Sequence, residues 1–276
     1  MIVFVHVPKA GGSTFYSILR DVYGLTELYK LSSDERDLRA YGELGESRRS
    51  RIRVIYGHVD YGVAGLRLQD AQYITFVREP VVRAVSLYYY IRHQLDDALH
   101  DLANRTSLAE FVEVSGSTEF DNGMVRRLSG VGDAVPIGAC TREMLDTAKR
   151  NLAQFAFIGL TERYEEGYAL LCQRFGWPVR YYPGKKINIH RPGLETVPPE
   201  ALELIRRHSI LDQELYEYCT QLYERQLQTA GISGVLARIH ARRASAFWRL
   251  ADTVRLKVKR RWRRLVQKLR YYRKFG

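Results

Sequence analysis

The ten residues HVPKAGGSTF, from His6 to Phe15, join an apolar segment to a helical pattern through a glycine-rich turn. The apolar run at residues 2–5 predicts a buried strand, and apolar side chains recur at helical spacing after the turn. Gly11 and Gly12 let the backbone bend so that successive N–H groups point at one place, where the dipole of the following helix favours negative charge. With the ammonium group of Lys9 beside them, these amides predict a binding site for a phosphate or a sulfate.

The turn differs from the Walker pattern of triphosphate-binding loops, because its lysine precedes the glycines and no aspartate for Mg²⁺ is apparent downstream. The order Pro-Lys-x-Gly-Gly-Ser-Thr resembles the 5′-phosphosulfate-binding loop of sulfotransferases that use 3′-phosphoadenosine-5′-phosphosulfate (PAPS). The resemblance implies that Lys9 and the amides of residues 11–14 hold the 5′-phosphosulfate, and that Ser13 and Thr14 add hydroxyl groups. The alternative is a structural glycine turn that happens to carry a lysine.

A second apolar strand pattern, at residues 73–77, is followed by Arg78-Glu79-Pro80 and a helical pattern that Pro80 can open. Arg78 then lies at the carboxyl end of a strand, where open α/β sheets bind ligands, and its guanidinium can hold a phosphate through two parallel hydrogen bonds. The stretch FVREPVVRAVSLYYY resembles the 3′-phosphate-binding segment of the same sulfotransferases, which implies that Arg78 and Ser86 hold that phosphate. Taken alone, an arginine at a strand end is more often a solvated charge.

The resemblance covers residues 1–228 and is closest to the glycan sulfotransferases of the heparan sulfate 2-O and 6-O type and their bacterial relatives. Phe120–Gly130 is similar to the family's Asn-x-x-x-Arg-x-Leu-x-Gly helix, for which the residues alone suggest no role. Phe157–Leu171 and Ile210–Tyr218 are similar to a late strand with its helix and to the closing helix. The fold class is therefore expected to be α/β, a three-layer, P-loop-like domain with a central, mainly parallel sheet. A basic, amphipathic helical tail is expected at residues 229–276.

The segment YGHVDYG follows a short predicted strand and lies between the two phosphate-binding segments. Sulfuryl transfer to an alcohol needs a base for the hydroxyl proton, and the imidazole of His58 titrates close enough to neutrality to act as one. A Gly-His motif at a strand end also resembles the position of the family's catalytic histidine, which implies that role for His58. The alternative is a histidine that merely ends a strand. The rivals are His6, interpreted as structural packing, and Asp60, which could orient His58, contact the substrate or simply form a turn.

The basic stretch KKINIHRPG begins at Lys185, in a loop that follows a last strand predicted at Val179–Tyr182. Other sulfotransferases close the 3′-phosphate site with a basic loop in this part of the chain, which implies the same role for Lys185 and Lys186. Otherwise, a pair of lysines in a loop is simply solvated.

Together these motifs predict an enzyme, a PAPS-dependent O-sulfotransferase in which His58 is the general base and Lys9 offsets charge on the leaving oxygen. PAPS is the sulfuryl donor, no metal is required, and the resemblance suggests a sugar hydroxyl of a polysaccharide or glycolipid as the acceptor. The sequence identifies neither the sugar ring nor the position. Two alternatives stay open. One is a P-loop-type kinase that needs a triphosphate and Mg²⁺, and the other is a non-catalytic adaptor that binds membrane or nucleic acid through its basic tail.

Length and cysteine usage limit the kind of protein. The 276 residues can bury one large core, so we expect one domain with an appendage. Cys140, Cys172 and Cys219 are isolated, and no histidine cluster has metal-ligand spacing, which favours a reducing cytoplasm over a disulfide framework or a zinc site. Since the first strand pattern begins at the second residue, no cleaved signal peptide or N-terminal membrane anchor is expected.

Positive charge is concentrated in the tail. Residues 235–276 contain 15 Lys and Arg and one acidic residue, Asp252, so their net charge is +14 and the rest of the chain, with a total of +12, carries −2. Apolar residues recur every three or four positions, which predicts a helix with one apolar stripe and a basic flank. The stripe consists of Phe247, Leu250, Val254, Val258, Trp262, Leu265, Leu269 and Tyr272.

Such a helix is typical of one that lies on an anionic membrane surface, so the protein is expected to be cytoplasmic and peripheral at the inner membrane face. The stripe could equally pack against another subunit or the catalytic domain. Nucleic acid ranks last, because it would not explain the regular stripe. Since every phosphate-binding motif lies upstream, removal of the chain from Val235 onward is expected to leave nucleotide binding intact.

Overall fold

The computed structural model describes residues 1–62, 70–182, 193–258 and 261, and its centre is a five-stranded sheet. The strands are β1 (Ile2–His6), β2 (Leu28–Lys30), β3 (Val54–Gly57), β4 (Gln72–Val77) and β5 (Phe157–Leu160). Their order in the sheet is β2-β3-β1-β4-β5, and every neighbouring pair is parallel. The α/β fold class is confirmed, and the sheet expected to be mainly parallel is parallel throughout these strands.

Every residue of β1, β3 and β5 is buried, which explains why these strands appear in the sequence as continuous apolar runs. A strand buried on both faces needs covering elements on both, so helices must lie above and below the sheet. The register places Val5 opposite Gly57 on one side and Thr75 on the other. The carboxyl ends of β1, β3 and β4 therefore meet at one edge of the sheet.

The helices of the described residues follow the strands in α/β fashion. They are α1 (Gly12–Val22), α2 (Glu35–Gly42), α3 (Glu46–Arg49), α4 (Pro80–Ile91), α5 (His100–Arg105), α6 (Leu108–Val114), α7 (Gly123–Ser129), α8 (Arg142–Leu152), α9 (Tyr164–Phe175), α10 (Pro199–His208), α11 (Ile210–Ala230) and α12 (Ser233–Ala244). Residues 246–258 are also helical. At the start of α4 the Glu79 carboxylate accepts the N–H groups of Val81 (3.1 Å) and Val82 (2.6 Å), so this helix begins where the sequence predicts.

The apolar interior consists of two clusters. The larger one surrounds the sheet and includes Phe4 and Phe15, which are fully buried. The second one joins α4, α5, α6 and α10 through side chains such as Val85, Phe111 and Ile205. Because α4 is packed into this second cluster, the side chains on its other face are held at a fixed place beside the sheet edge.

Helices α7 and α11 cap one another. The Oδ1 atom of Asn122, directly before α7, accepts the N–H groups of Leu211 (2.9 Å) and Asp212 (3.1 Å) in the first turn of α11. In return, the Asp212 carboxylate accepts the N–H groups of Met124 (3.1 Å) and Val125 (2.8 Å) in the first turn of α7. The asparagine of the Asn-x-x-x-Arg segment thus has a structural role that the sequence did not suggest.

The arginine of the same segment, Arg126, is structural as well. It is 2% exposed, forms an ion pair with Asp121 and donates to the carbonyl oxygens of Val135 and Pro136. These contacts fix the loop that follows α7 against the helix.

The segment Val179–Tyr182 is not a strand, and the prediction of one there is wrong. Its backbone amides donate to side chains instead of to a neighbouring strand. The amide of Arg180 donates to the hydroxyl of Tyr168 (3.0 Å), and that of Tyr181 donates to the carboxylate of Asp252 (2.8 Å). Because α9 and the tail supply these acceptors, the segment has no need of a sheet ladder.

The tail packs on the rest of the chain by one side only. Val235 and Ile239 of α12 are buried in the larger apolar cluster. Within residues 246–258, Asp252 is buried, whereas Phe247 and Leu250 are 69% and 66% exposed. Over the described ranges, no helix combines the length and the apolar character that a membrane crossing requires.

Candidate active site

A cavity of about 1000 Å³ lies at the carboxyl edge of the sheet. Residues that directly follow β1, β3, β4 and β5 line it, as expected for an open α/β sheet. The cavity brings together eight residues predicted from the sequence, namely Lys9, Gly11, Gly12, Ser13, Thr14, His58, Arg78 and Ser86. The other two predicted residues, Lys185 and Lys186, lie outside the described residues.

The turn between β1 and α1 has an unusual backbone. Lys9 and Gly11 have φ angles of +65° and +81°, in the left-handed region. A Cβ atom on Gly11 would lie 2.9 Å from the ring of Tyr164, and one on Gly12 would lie 1.9 Å from Nε2 of His6. Neither glycine can carry a side chain without displacing its neighbour, so the sequence Gly-Gly is a requirement of this packing.

The first amides of this turn are available to a ligand. In the part of the chain that the structure describes, the N–H groups of Gly11, Gly12 and Ser13 have no protein acceptor, and no side chain caps α1. The amide of Thr14 differs from expectation, because it donates to the Gly11 carbonyl oxygen at 3.1 Å. A helix N-terminus with three such amides beside a lysine suits an anion. Within the described residues, the amides of residues 11–13 are therefore the ones without a protein acceptor, whereas that of Thr14 has one.

Arg78 joins the two predicted phosphate-binding segments. Its Nη1 atom donates to the carbonyl oxygen of Lys9 at 3.1 Å, which ties the end of β4 to the turn after β1. The Nζ atom of Lys9 lies 3.8 Å from the centre of the Tyr90 ring, a cation–π contact that restrains the long side chain. Ser86 is buried one turn before Tyr90 on α4, and both line the cavity. Tyr90 is a site residue that the sequence motifs missed, although its i, i+4 spacing from Ser86 was a signal.

Two histidines lie at the ends of the neighbouring strands β1 and β3. The ring centres of His6 and His58 are 4.4 Å apart. His6 is 8% exposed, and its Nδ1 atom lies 2.7 Å from the hydroxyl oxygen of Tyr16. His58 is exposed and lines the cavity. This placement agrees with His6 as a packed residue and with His58 as the one that can reach a substrate.

Both imidazoles have a lowered pKa. Burial lowers the pKa of His6 well below its ordinary value, and the charges of His58, Arg127 and Lys9 act in the same direction. The ring of His58 reaches the cavity, but the protein groups packed around it remove part of its surrounding water, and this desolvation lowers its pKa. The charge of Arg127 lowers the pKa of His58 further, whereas Glu119 opposes the shift. His58 is therefore neutral near neutral pH, which is the form that a general base requires.

A cluster of charged side chains lies beside His58. Arg127 contacts Glu119 at 2.6 Å and Asp60 at 3.3 Å, and Arg83 holds Glu119 from a second side at 2.8 Å. Burial disfavours the ionised form of Glu119, but Arg127 and Arg83 outweigh it and lower the pKa of that carboxyl. Asp60 is thus an ion-pair partner of Arg127, and within the described residues no hydrogen bond joins it to His58.

Glu119 and Arg127 line the cavity and were missed in the sequence. Glu119 comes from a short 3₁₀ turn, Thr118–Phe120, and Arg127 from α7, whose position depends on the reciprocal caps with α11. One signal was present, since Arg126 and Arg127 are adjacent on a short helix and must point in different directions. The first is buried in a structural role, and the second reaches the site.

The sequence matches known sulfotransferases over most of its length. A sequence profile described as "Sulfotransferase family" matches residues 1–229. Heparan-sulfate 6-O-sulfotransferase 1 of Homo sapiens is 28% identical over an alignment of 274 positions, gaps included, and the alignment covers 83% of this chain and 66% of that protein. Heparan sulfate 2-O-sulfotransferase 1 of Xenopus laevis is 24% identical over an alignment of 261 positions, which covers 81% of this chain and 70% of that protein. The chain therefore spans about two thirds of the length of these relatives.

Among solved structures, mouse sulfotransferase SULT7A1 complexed with PAP is similar with a TM-score of 0.40 and 14% sequence identity. The similarity covers 77% of this chain and 65% of that one.

Proposed function

The chain belongs to the sulfotransferase family, and we propose that it transfers the sulfuryl group of PAPS to a hydroxyl of a glycan or glycolipid. One observation carries this proposal. The Lys9 turn, Arg78 with Ser86, and His58 line a single cavity at the carboxyl edge of the sheet. The cavity therefore combines two anion-binding segments with a neutral imidazole, which is the combination that sulfuryl transfer requires.

The residues of the turn suit the phosphosulfate end of the donor. Lys9 and the amides of residues 11–13 would hold its oxygens, and the hydroxyls of Ser13 and Thr14 lie beside them in the cavity. At the other end, Arg78 and Ser86 would hold the 3′-phosphate. Because Arg78 also binds the Lys9 carbonyl, the two anion sites keep a fixed spacing. A fixed spacing discriminates a bisphosphate from a monophosphate.

The transfer itself needs a proton acceptor and charge stabilisation. His58 would accept the proton of the acceptor hydroxyl while the hydroxyl oxygen forms its bond to sulfur, in line with the S–O bond to the phosphate that breaks. The ammonium of Lys9 would offset the charge that grows on the leaving oxygen. This scheme uses no metal ion.

The acceptor is proposed from the relatives, whose names specify heparan sulfate. We extend to this chain only the chemical class, a sugar hydroxyl. The part of the cavity near His58 presents Arg127, which can donate to sugar hydroxyls, and Glu119, which can accept from them.

Calorimetric titration of the full chain with 3′,5′-adenosine bisphosphate, 5′-AMP and ATP with Mg²⁺ tests the proposal. We expect the bisphosphate to bind most tightly, and labelled sulfate to pass from PAPS to a saccharide acceptor. Equal affinity for the bisphosphate and 5′-AMP would count against a sulfotransferase site. Magnesium-dependent turnover of ATP would favour the kinase alternative, and membrane binding without nucleotide affinity would favour the adaptor.

We propose an anionic membrane surface as the partner of the tail, because the tail exposes apolar side chains next to a basic segment. Residues 246–258 dock through Asp252 and Arg255, while Phe247, Leu250, Val254 and Val258 stay largely exposed. This apolar stripe adjoins a segment rich in lysine and arginine, a combination suited to anionic headgroups. We propose that the protein is cytoplasmic and peripheral at the inner membrane face, which a reducing compartment and the free thiols of Cys140, Cys172 and Cys219 support.

A further inference from the structure

One wall of the cavity comes from residues beyond the part of the chain that matches the family. The match ends at residue 229, whereas Ile239 and Arg243 of α12 line the cavity together with Tyr164 and Tyr168 of α9. Ile239 is 6% exposed, so it is a packed part of this wall. Arg243 forms an ion pair with Glu165, which is another cavity residue.

A buried carboxylate of the tail holds a second part of the wall. Asp252, 2% exposed, accepts the amide of Tyr181 at 2.8 Å and the Nε–H of Arg242 at 3.2 Å. Arg255, one turn later, lies 3.6 Å from the same carboxylate. The amide of Tyr181 thus has its acceptor in the tail and not in a strand.

A second buried carboxylate lies on α1, the helix that begins at the phosphate-binding turn. Asp21 accepts the hydroxyl of Tyr182 at 2.8 Å and lies 3.2 Å from Nε of Arg180. Arg255 of the tail donates to the same carboxylate. Asp21 and Asp252, which we call the carboxylate pair, therefore hold residues 180–182 between α1 and the tail.

We propose that the C-terminal extension, residues 233–258, completes the donor-nucleotide site. Its helix α12 forms one wall of the cavity, and the carboxylate pair fixes that wall and residues 180–182 to the helix of the phosphate-binding turn. This role rests on the proposed function, because it takes the ligand of the cavity to be the adenosine nucleotide of a sulfuryl donor. It also changes the expectation that removal of the chain from Val235 onward leaves nucleotide binding intact.

The carboxylate pair acts on the ligand through residues 180–182. Arg180, Tyr181 and Tyr182 all line the cavity. Loss of an acceptor from the pair leaves a buried N–H group or guanidinium without a partner, and the segment must move to regain one. Nucleotide affinity then falls, although the altered residue contacts no phosphate.

Hydrogen exchange of the unmodified chain, with and without 3′,5′-adenosine bisphosphate, tests this role directly. We expect binding to slow amide exchange at residues 233–244 and 180–182 as well as at the phosphate-binding turn. Protection that is confined to the turn and α4 would overturn the role of the extension. If the bisphosphate slows amide exchange at no position of the chain, the proposed function is overturned instead.

Two substitutions in the full chain provide a second test. Ile239→Ala shortens the wall, and Asp252→Asn keeps the shape of the side chain but removes its charge. Each is expected to raise the Kd for the bisphosphate by about fivefold to tenfold. Ala237→Gln, at an exposed position of α12 outside the cavity, is the matched control and should change the Kd by less than about twofold.

Thermal unfolding without nucleotide shows which of these variants fold. If the folded variants bind the bisphosphate as tightly as Ala237→Gln does, the extension is no part of the site. If Asp252→Asn does not fold, Ile239→Ala and the exchange experiment decide the question.

Discussion

Arg78 contacts the Lys9 carbonyl oxygen and also lines the cavity, so one guanidinium holds the Lys9 turn in place and belongs to the proposed 3′-phosphate site. We expect Arg78→Ala to remove most of the preference for 3′,5′-adenosine bisphosphate over 5′-AMP. Loss of a charge-assisted pair to a phosphate costs about 2 kcal/mol. Calorimetric titration with the two nucleotides measures this difference. Arg105→Ala, which removes a highly exposed charge, is the control and should preserve the preference.

For His58, the prediction separates turnover from nucleotide affinity. His58→Ala should lower turnover about a hundredfold or more, because a positioned base contributes at least that factor. The affinity for the bisphosphate should stay nearly unchanged, since the proposed partner of the imidazole is the acceptor hydroxyl and not the nucleotide. His93→Ala, an exposed histidine outside the cavity lining, is the control. Normal turnover in His58→Ala would move the base elsewhere, with His6 and Asp60 the next residues to test.

Arg127 should tune the pH dependence of the reaction. The pKa of His58 lies below its ordinary value, so kcat/KM should stay high at neutral pH and fall only as the pH drops through this lowered pKa. Arg127→Gln removes a positive charge that lowers the pKa, so the acidic limb of the profile should move to higher pH. Arg127→Lys keeps the charge and should leave the limb in place. An acidic limb that moves with neither substitution would contradict this assignment.

Short-range patterns explain why part of the site could be predicted at the scale of single elements. The turn from Lys9 to Thr14 and the start of α4 depend on residues next to one another, and the structure has both where the sequence predicts them. Glu119, Arg127 and Tyr90 reach the site because of how helices and turns pack. The spacing of Tyr90 from Ser86 and the adjacent pair Arg126 and Arg127 were local signals, but neither signal says which side chain enters the cavity. The strand predicted at Val179–Tyr182 failed for a related reason, because its amides bind side chains from α9 and the tail.

The reciprocal caps between α7 and α11 lead to a prediction about stability. Asn122→Ala removes the acceptor of two buried amides and should lower the free energy of unfolding by about 2 kcal/mol. Asn122 also has a φ of +50°, which glycine tolerates and alanine does not. Asn122→Gly should therefore be less destabilising than Asn122→Ala, by about 1 kcal/mol.

Denaturant unfolding measures these free energies. Gln228→Ala, at an exposed position of α11, is the control and should cost less than about 0.5 kcal/mol. Equal costs for Asn122→Ala and Gln228→Ala would show that the caps contribute little to stability.

For the molecule as a whole, the sequence predicted the fold class but not the contacts of the tail. Helical periodicity identifies an apolar stripe without identifying what it faces. Phe247 and Leu250 belong to the predicted stripe and are exposed, whereas Asp252, on the polar side of the pattern, is buried. Residues 246–258 therefore dock on the rest of the chain through charged groups, whereas α12 docks through Val235 and Ile239, which are not part of the predicted stripe. This is why the share of the tail in the cavity could not be predicted from the stripe.

The exposed stripe predicts binding to anionic vesicles. The full chain should sediment with vesicles that contain anionic lipid, and added salt should weaken this binding because it screens the lysines and arginines. A double substitution, Phe247→Ser with Leu250→Ser, should reduce binding about tenfold or more, since two exposed apolar side chains no longer enter the interface. Leu95→Ser is the matched control, because Leu95 is 82% exposed but lies outside the tail.

If the protein ignores anionic vesicles but forms an oligomer that the double substitution dissolves, the stripe is a subunit contact. Analytical ultracentrifugation distinguishes this outcome. If the full chain shows neither vesicle binding nor self-association, both partner proposals for the stripe are wrong.

Arg255 reaches the carboxylate of Asp21 across 234 positions of sequence. All five strands are complete by residue 160, so the sheet can form while the ribosome is still adding the residues that follow. A nascent chain therefore has the Lys9 turn well before it has the helix that we propose completes the donor site. Under that proposal, competence to bind the donor is acquired only after residue 255 has left the exit tunnel, and shorter translation products would hold the nucleotide weakly.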